Sequence, residues 1–175
     1  GENYQYPLII KKLLQTGITY APNQEIVYRD KLRYTYRDLG EWVSRLASGL
    51  AEAGIEKGDT VAVFDYDSNR FLECFFAIPM MGAVMQMVNW RLSASQVIYT
   101  VNHADAKLII INSDFLPLLE SIRDQLPKVE KIIVIQEHEE TADTGLDVFA
   151  DYDDFLKKSS SGFDFPDLPE ETKAT

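Results

Sequence analysis

Asn89, Trp90 and Arg91 form the short stretch of the sequence best suited to bind a ligand. They place an amide, an indole and a guanidinium directly after an apolar run that ends at Val88. Loops that follow a buried strand often carry binding residues, because the rigid sheet positions them. In a second interpretation Asn89 ties down the turn, Trp90 packs and Arg91 pairs with an acid. The residues are equally compatible with both interpretations, and the first places them near a site or an interface.

Two carboxylates, Asp65 and Asp67, follow another apolar run, Thr60–Phe64. Such a position is the end of a strand where open α/β sheets bind ligands, and two carboxylates there would hold Mg²⁺ in a phospho-receiver domain. The favoured interpretation is structural: Asp67 or Ser68 caps the next helix and Asp65 is solvated. Alternate residues on an irregular turn do not converge by default.

The remaining reactive side chains do not form a catalytic set. Cys74 lies in an apolar stretch with no neighbouring cation, which is typical of a structural thiol. His103 and His138 lie far apart without metal-ligand spacing. The sequence also has no glycine-rich phosphate loop and no serine nucleophile elbow. We therefore assign no catalytic residue and no metal ligand to this chain.

Apolar periodicity predicts the elements that must position these residues. A hairpin is expected at residues 25–35, with its turn at Arg29–Lys31. Thr35 and Asp38 predict a capping box for a helix over residues 36–53, which Gly54 ends. Strands and helices then alternate, with helices over residues 68–81 and 93–102 and a helix that Asp114 caps. A short helix is also expected before the hairpin, in residues 4–20.

This alternation predicts the fold class. Strands separated by helices of this length form right-handed βαβ units, so we expect an α/β fold with a doubly wound, mainly parallel sheet. The predicted organisation is an N-terminal segment with a short hairpin (1–35), an α/β subdomain (36–158) and a linker (159–175). The linker contains Pro166 and Pro169 and begins with a run of serines.

Charge and hydropathy exclude several classes of partner. The net charge is −11, and twelve acidic residues against three lysines between Glu137 and Thr175 account for nine of those charges. Nucleic-acid binding needs a concentrated basic face, which is missing from the sequence. No apolar run has the length of a transmembrane segment and no signal pattern begins the chain, so we expect a cytoplasmic protein.

Five segments, in this order, resemble the start of the adenylate-forming superfamily of acyl-CoA synthetases, luciferases and peptide-synthetase adenylation domains. They are 34–39 (YTYRDL), 50–62 (LAEAGIEKGDTVA), 81–84 (MGAV), 88–93 (VNWRLS) and 101–107 (VNHADAK). Within the superfamily, the long- and medium-chain fatty acyl-CoA synthetases are the most similar. The segments that favour them are 70–73 (RFLE), 76–79 (FAIP), 115–120 (FLPLLE) and 152–155 (YDDF).

The resemblance implies the first subdomain of an enzyme that adenylates a fatty carboxylate with ATP and Mg²⁺ and then transfers the acyl group to coenzyme A. It also implies that the phosphate loop, the ribose-binding acid and the C-terminal lysine lie beyond Thr175. This chain alone is therefore predicted to bind no cofactor and to have no ligase activity. Members of the fatty acyl group dimerise through this region, which favours a homodimer.

Two alternatives remain open at this point. One is a standalone flavodoxin-like regulatory module that uses Asp65 and Asp67. The other is an interaction domain whose role is dimerisation.

Overall fold

Six helices and seven strands alternate along the residues that the computed structural model describes, which are 2–28 and 32–165. The helices are α1 (Glu2–Tyr20), α2 (Tyr36–Glu52), α3 (Asn69–Met80), α4 (Ala94–His103), α5 (Leu116–Ile122) and α6 (Tyr152–Lys158). The strands are β1 (Glu25–Tyr28), β2 (Leu32–Thr35), β3 (Thr60–Phe64), β4 (Val84–Met87), β5 (Ala106–Asn112), β6 (Lys131–Ile135) and β7 (Ala150–Asp151). None of these helices is long and apolar enough to cross a membrane.

Strands β3 to β7 form one parallel sheet in the order β4-β3-β5-β6-β7. The chain runs from β3 to β4 on one side and then returns to β5 on the other side of β3. The strand order therefore reverses between β3 and β5, and the crevice outside the carboxyl ends of the strands at such a point is where open α/β sheets bind ligands. A ligand site is therefore expected among the residues that follow β3 and β5.

Helices cover both faces of this sheet, which confirms the predicted doubly wound α/β class. Strand β3 shows why: Val61 and Val63 face the core beneath α1, α2, α3 and α6, whereas Ala62 and Phe64 face the core beneath α4 and α5. Successive side chains of a strand point to opposite faces, so a strand buried on both sides reads as a continuous apolar run.

The ends of α2 have the predicted local structure. The Thr35 hydroxyl accepts from the amide of Asp38 at 3.1 Å, and the Asp38 carboxylate accepts from the amide of Thr35 at 2.9 Å. Gly54 has φ of 103°, and the amide of Ile55 donates to the carbonyl of Leu50 at 2.9 Å. These bonds are a capping box and a Schellman ending, so both helix signals are confirmed.

Several predicted elements need correction or extension. Asp114 does not cap a helix with its side chain: Asn112 accepts from the Asp114 amide at 2.9 Å, and Ser113–Phe115 form a 3₁₀ turn before α5. Helix α1 is longer than the short helix predicted, and the two-residue β7 was not predicted. The hairpin pairs as expected, with Glu25 opposite Thr35. Its predicted turn, Arg29–Lys31, lies outside the described residues.

Candidate functional site at the carboxyl edge of the sheet

The loop that carries Asn89, Trp90 and Arg91 is fixed at both ends. At its start the amide of Val88 donates to the carbonyl of Val63 in β3, at 3.0 Å. The Asn89 side-chain oxygen accepts from the amide of Arg91 at 3.0 Å, an Asx turn that the local residue types favour. At its end Ser93 and Gln96 form the predicted capping box of α4. Asn89 therefore does tie down the turn.

Trp90 joins an aromatic cluster built from three successive strand ends. Its ring stacks on Phe115, with centroids 4.5 Å apart and planes 21° apart, and meets the edge of Tyr66 at 5.4 Å. Tyr66 and Phe115 are themselves 4.9 Å apart. Tyr66 follows β3, Trp90 follows β4 and Phe115 follows β5, so the parallel sheet brings all three to one edge. We call Tyr66, Trp90 and Phe115 the aromatic cluster.

Arg91 lies on top of this cluster. Its guanidinium carbon is 4.2 Å from the centre of the Trp90 ring, and the residue is exposed. The contact shown for Arg91 is thus with an indole rather than with the acid that the second interpretation required. A guanidinium over an indole is attracted by the π-electrons of the ring and still carries N–H donors for an anionic partner.

Asp65 is buried, which corrects the expectation that it is solvated. Its carboxylate accepts from the Ser68 hydroxyl at 2.5 Å and from the Asn112 amide nitrogen at 2.9 Å. Burial raises the pKa of Asp65, against the lowering effect of these hydrogen bonds. Ser68 also accepts from the amide of Phe71 and so caps α3, as predicted, while Asp67 is exposed.

Asn112 joins two carboxylates at this edge. It is fully buried, and its Nδ2 donates to Asp65 at 2.9 Å and to Glu137 at 2.7 Å. We call Asp65, Ser68, Asn112 and Glu137 the carboxyl-edge network. Sequence reasoning missed Asn112 and Glu137. The signal that would have found Asn112 is the one that singled out Asp65: a polar residue at the carboxyl end of a buried strand.

Tyr66 connects the carboxyl-edge network to the aromatic cluster through Asp114. Its hydroxyl donates to Asp114 Oδ2 at 2.9 Å, and Asp114 Oδ1 lies 3.0 Å from His138 Nε2. His138 is exposed and has this single carboxylate beside it, whereas His103 is exposed and stacks on Tyr99. Both histidines therefore lie at the surface.

The arrangement offers binding groups rather than a catalytic set. Within residues 2–28 and 32–165 no three His, Cys, Asp or Glu side chains are grouped to hold a metal ion. Cys74 is fully buried and desolvation raises the pKa of its thiol well above the usual value, in agreement with a structural role. The described edge thus presents one exposed guanidinium, an aromatic surface and a buried acid held by neutral donors.

The chain belongs to the AMP-binding enzyme family, whose model matches residues 14–172. It corresponds to the N-terminal part of fatty acid and other acyl-CoA ligases.

Individual relatives support this assignment. The chain is 28% identical to a 3-methylmercaptopropionyl-CoA ligase of Ruegeria pomeroyi, over 100% of this chain and 33% of that protein. It is 39% identical over 60% of its length to a long-chain-fatty-acid–CoA ligase of Thermus thermophilus, covering 19% of that protein. The Mycobacterium tuberculosis fatty acyl CoA synthetase superposes with a TM-score of 0.75 at 25% identity, covering 91% of this chain and 30% of the synthetase.

The fold is also shared with a ligase for an aromatic acid. An anthranilate CoA ligase in complex with anthranoyl-AMP superposes with a TM-score of 0.84 at 24% identity, covering 97% of this chain and 31% of the ligase. In each comparison the chain spans about a third of the relative's length or less.

Proposed function

We propose that this chain is part of an AMP-forming ligase that joins a fatty acid to coenzyme A. The family match over residues 14–172 carries the proposal, together with relatives that are named as CoA ligases of carboxylic acids. The rival receiver-like function finds no support in the structure, because Asp65 is held by Ser68 and Asn112 while Asp67 is exposed.

The chemistry follows from the poor reactivity of a carboxylate. A carboxylate oxygen attacks the α-phosphorus of ATP, the bond to pyrophosphate breaks, and an acyl-adenylate forms. The sulfur of coenzyme A then attacks the acyl carbon, its proton passes to solvent, and AMP leaves with the C–O bond electrons. Phosphate charge in such reactions is met by Mg²⁺, lysine and backbone amides.

The described residues do not supply that phosphate site. They include no metal-ligand group of three, and the sequence has no glycine-rich phosphate loop. In the proposal the rest of the intact protein holds ATP, Mg²⁺ and the catalytic lysine, while this region contributes scaffold and the Asn89–Arg91 loop. The reaction takes place where ATP and coenzyme A are supplied, which favours the cytoplasm.

The activity is tested with the intact protein encoded by the parent gene. We expect fatty-acid-dependent exchange of pyrophosphate with ATP and formation of the CoA thioester, and neither reaction with the 175-residue chain alone. A panel of short-, medium- and long-chain fatty acids beside aryl acids identifies the substrate class. Exchange supported only by aryl acids would replace the fatty acid assignment, and no exchange with any carboxylic acid would overturn the ligase proposal.

We place Arg91 next to an anionic substrate group or a subunit interface. Its exposed guanidinium, which lies 4.2 Å from the centre of the Trp90 ring, supports this placement. Replacing Arg91 with Ala in the intact enzyme should raise one substrate KM, or shift the molar mass measured by light scattering, and Arg91→Lys should retain part of the wild-type value. The matched control is Arg37→Ala, an exposed arginine on α2. Unchanged KM values and an unchanged mass in Arg91→Ala would remove the loop from the proposal.

The homodimer is a separate part of the proposal. Light scattering on the intact protein should give twice the mass of one subunit, and a monomer across the working concentration range would contradict it.

A further inference from the structure

The residues that follow α6 lie along α2 instead of leaving the domain. Ser44, in the middle of α2, is almost fully buried, and its hydroxyl donates to the carbonyl of Ser161 at 2.6 Å. The same hydroxyl accepts from the amide of Phe163 at 2.9 Å. We call residues 159–165 the exit strap. The Ser44 side chain therefore bonds to two residues of the exit strap that are more than a hundred residues away in sequence.

Arg45 holds the start of the exit strap. Its Nη1 donates to the carbonyl of Ser159 at 2.8 Å and lies 3.3 and 3.4 Å from the carbonyls of Lys157 and Leu156. Glu41, one turn earlier, fixes the guanidinium through Nε at 3.2 Å and Nη2 at 3.1 Å. A cation at this place also satisfies the last free carbonyls of α6, where the helix dipole favours positive charge.

Close packing accompanies these hydrogen bonds. Phe163 and Phe165 meet edge to face at 4.8 Å and pack against the core on the α2 side of the sheet. At the other end of the exit strap α2 approaches so closely that a Cβ on Gly49 would lie 2.6 Å from the Phe155 ring and from Ser159 Oγ. A side chain at position 49 would therefore require Phe155 and Ser159 to move.

Sequence composition alone would predict a flexible connector here. Serine- and glycine-rich segments behave as random coils, and ordering their backbone costs conformational entropy. The contacts from Ser44 and Arg45 oppose that cost.

We infer that Ser44 and Arg45 are positioning residues for the ATP-binding part of the enzyme. By holding the exit strap on α2, they set the point from which the downstream phosphate-binding segment joins this domain. The inference rests on the proposed ligase function. Neither side chain contacts substrate in this scheme, so their effect passes through the exit strap.

The test uses Ser44→Ala, Arg45→Ala and Arg45→Lys in the intact enzyme, with Arg37→Ala on the same helix as the matched control. Ser44→Ala and Arg45→Ala should each raise KM for ATP in pyrophosphate exchange by about tenfold, since small misplacements of reacting groups have large kinetic effects. KM for the carboxylic acid should change much less. Arg45→Lys, which keeps a donor to Ser159, should recover most of the wild-type value.

A second measurement tests whether Ser44 and Arg45 keep the exit strap on α2. Chymotryptic cleavage after Phe163, and amide exchange over residues 160–165, should increase in Ser44→Ala and Arg45→Ala but not in Arg37→Ala. Faster cleavage with an unchanged KM for ATP would overturn the positioning role, and unchanged cleavage would overturn the hold. If wild-type enzyme shows no exchange with any acid, the ligase proposal fails instead, and the two failures are distinguishable.

Discussion

At the amino edge of the five-stranded sheet two lysines donate to the carbonyls of the two residues that follow α2, whereas at the carboxyl edge one asparagine donates to two carboxylates. Lys107 Nζ donates to the carbonyl of Gly54 at 2.8 Å and also pairs with Asp59 at 3.3 Å. Lys131 Nζ donates to the carbonyl of Ala53 at 2.9 Å. Charge at this edge meets free carbonyls and the negative end of a helix dipole, which is a stabilising arrangement.

The carboxyl edge differs because it contains a buried carboxyl group. Its buried acid, Asp65, is held by the neutral donors Ser68 and Asn112, and desolvation raises its pKa. Neutral donors do not cancel the charge, so the carboxyl-edge network depends on each hydrogen bond. We therefore expect that losing a charge at the amino edge destabilises the protein less than losing one amide at the carboxyl edge.

The largest expected effect is at Asn112. Asn112→Asp keeps the shape but removes the donor and adds a third carboxyl beside Asp65 and Glu137, so the free energy of unfolding near neutral pH should fall by about 3 kcal/mol. Urea denaturation measures it. The matched control is Asn89→Asp, because exposed Asn89 uses its oxygen as an acceptor and a carboxylate keeps that bond. Equal stability of the two variants would contradict the comparison.

A second buried acid makes the free energy of unfolding depend on pH. Glu73 is a buried residue of α3 that accepts from the hydroxyl of Tyr152 in α6 at 2.8 Å, and burial raises its pKa to about 7. The folded protein therefore holds this proton more tightly than the unfolded chain. Stability from Glu73 is fully present below its unfolded pKa near 4.5 and is lost as the pH rises to about 7, by about 2–3 kcal/mol.

Unfolding free energies of Glu73→Gln between about pH 4.5 and pH 7.5 test this sign. The amide does not titrate, so the decline with pH should become shallower than in wild type. Exposed Glu130→Gln is the control and should keep the wild-type slope. A Glu73→Gln profile as steep as that of wild type would show that this acid does not titrate in the expected range.

The amino edge should respond more weakly. Lys131→Met keeps the apolar stem but removes the hydrogen bond to Ala53 and the cation near the end of α2, so we expect a loss of about 1 kcal/mol in unfolding free energy. Lys128→Met, which removes an exposed pair with Asp105, is the control and should change stability very little. A loss from Lys131→Met as large as that from Asn112→Asp would contradict the expected difference in sensitivity between the two edges.

The smallest stability effect is expected for Arg91. Its exposed contact with Trp90 contributes at most about 0.5–1 kcal/mol, so Arg91→Ala should hardly change the melting temperature. Trp90→Ala removes the stacked ring from the aromatic cluster and should cost about 2 kcal/mol. Differential scanning calorimetry compares the two. Equal losses would mean that Arg91 serves the packing of the loop rather than contact with a ligand or partner.

Much of the local structure could be predicted from short stretches of sequence. Thr35 and Asp38, Ser93 and Gln96, and Gly54 with Ile55 act within a few residues of each other, so residue type and spacing were sufficient. Strands β3, β5 and β6 were predictable for a related reason, since a strand buried on both faces must be apolar along its whole length. The Asn89–Arg91 loop was found because it follows the apolar run that ends at Val88, although the structure shows that this strand, β4, is an edge strand with Val84 and Met87 exposed rather than a buried strand.

The rest depended on tertiary structure. Asn112 meets Asp65 and Glu137 from 47 and 25 residues away, and Ser44 meets Phe163 from 119 residues away. Sequence reasoning treated Asp65 as solvated and residues 159–165 as linker, because no local pattern records which distant group will be present. The sequence by itself determined the ends of helices such as α2 and α4, since their capping bonds close within a few residues, and the central strands, since burial on both faces requires an apolar run. Only the strand order and the packing of helices decided which polar groups became partners, because buried donors and acceptors are paired by proximity in space.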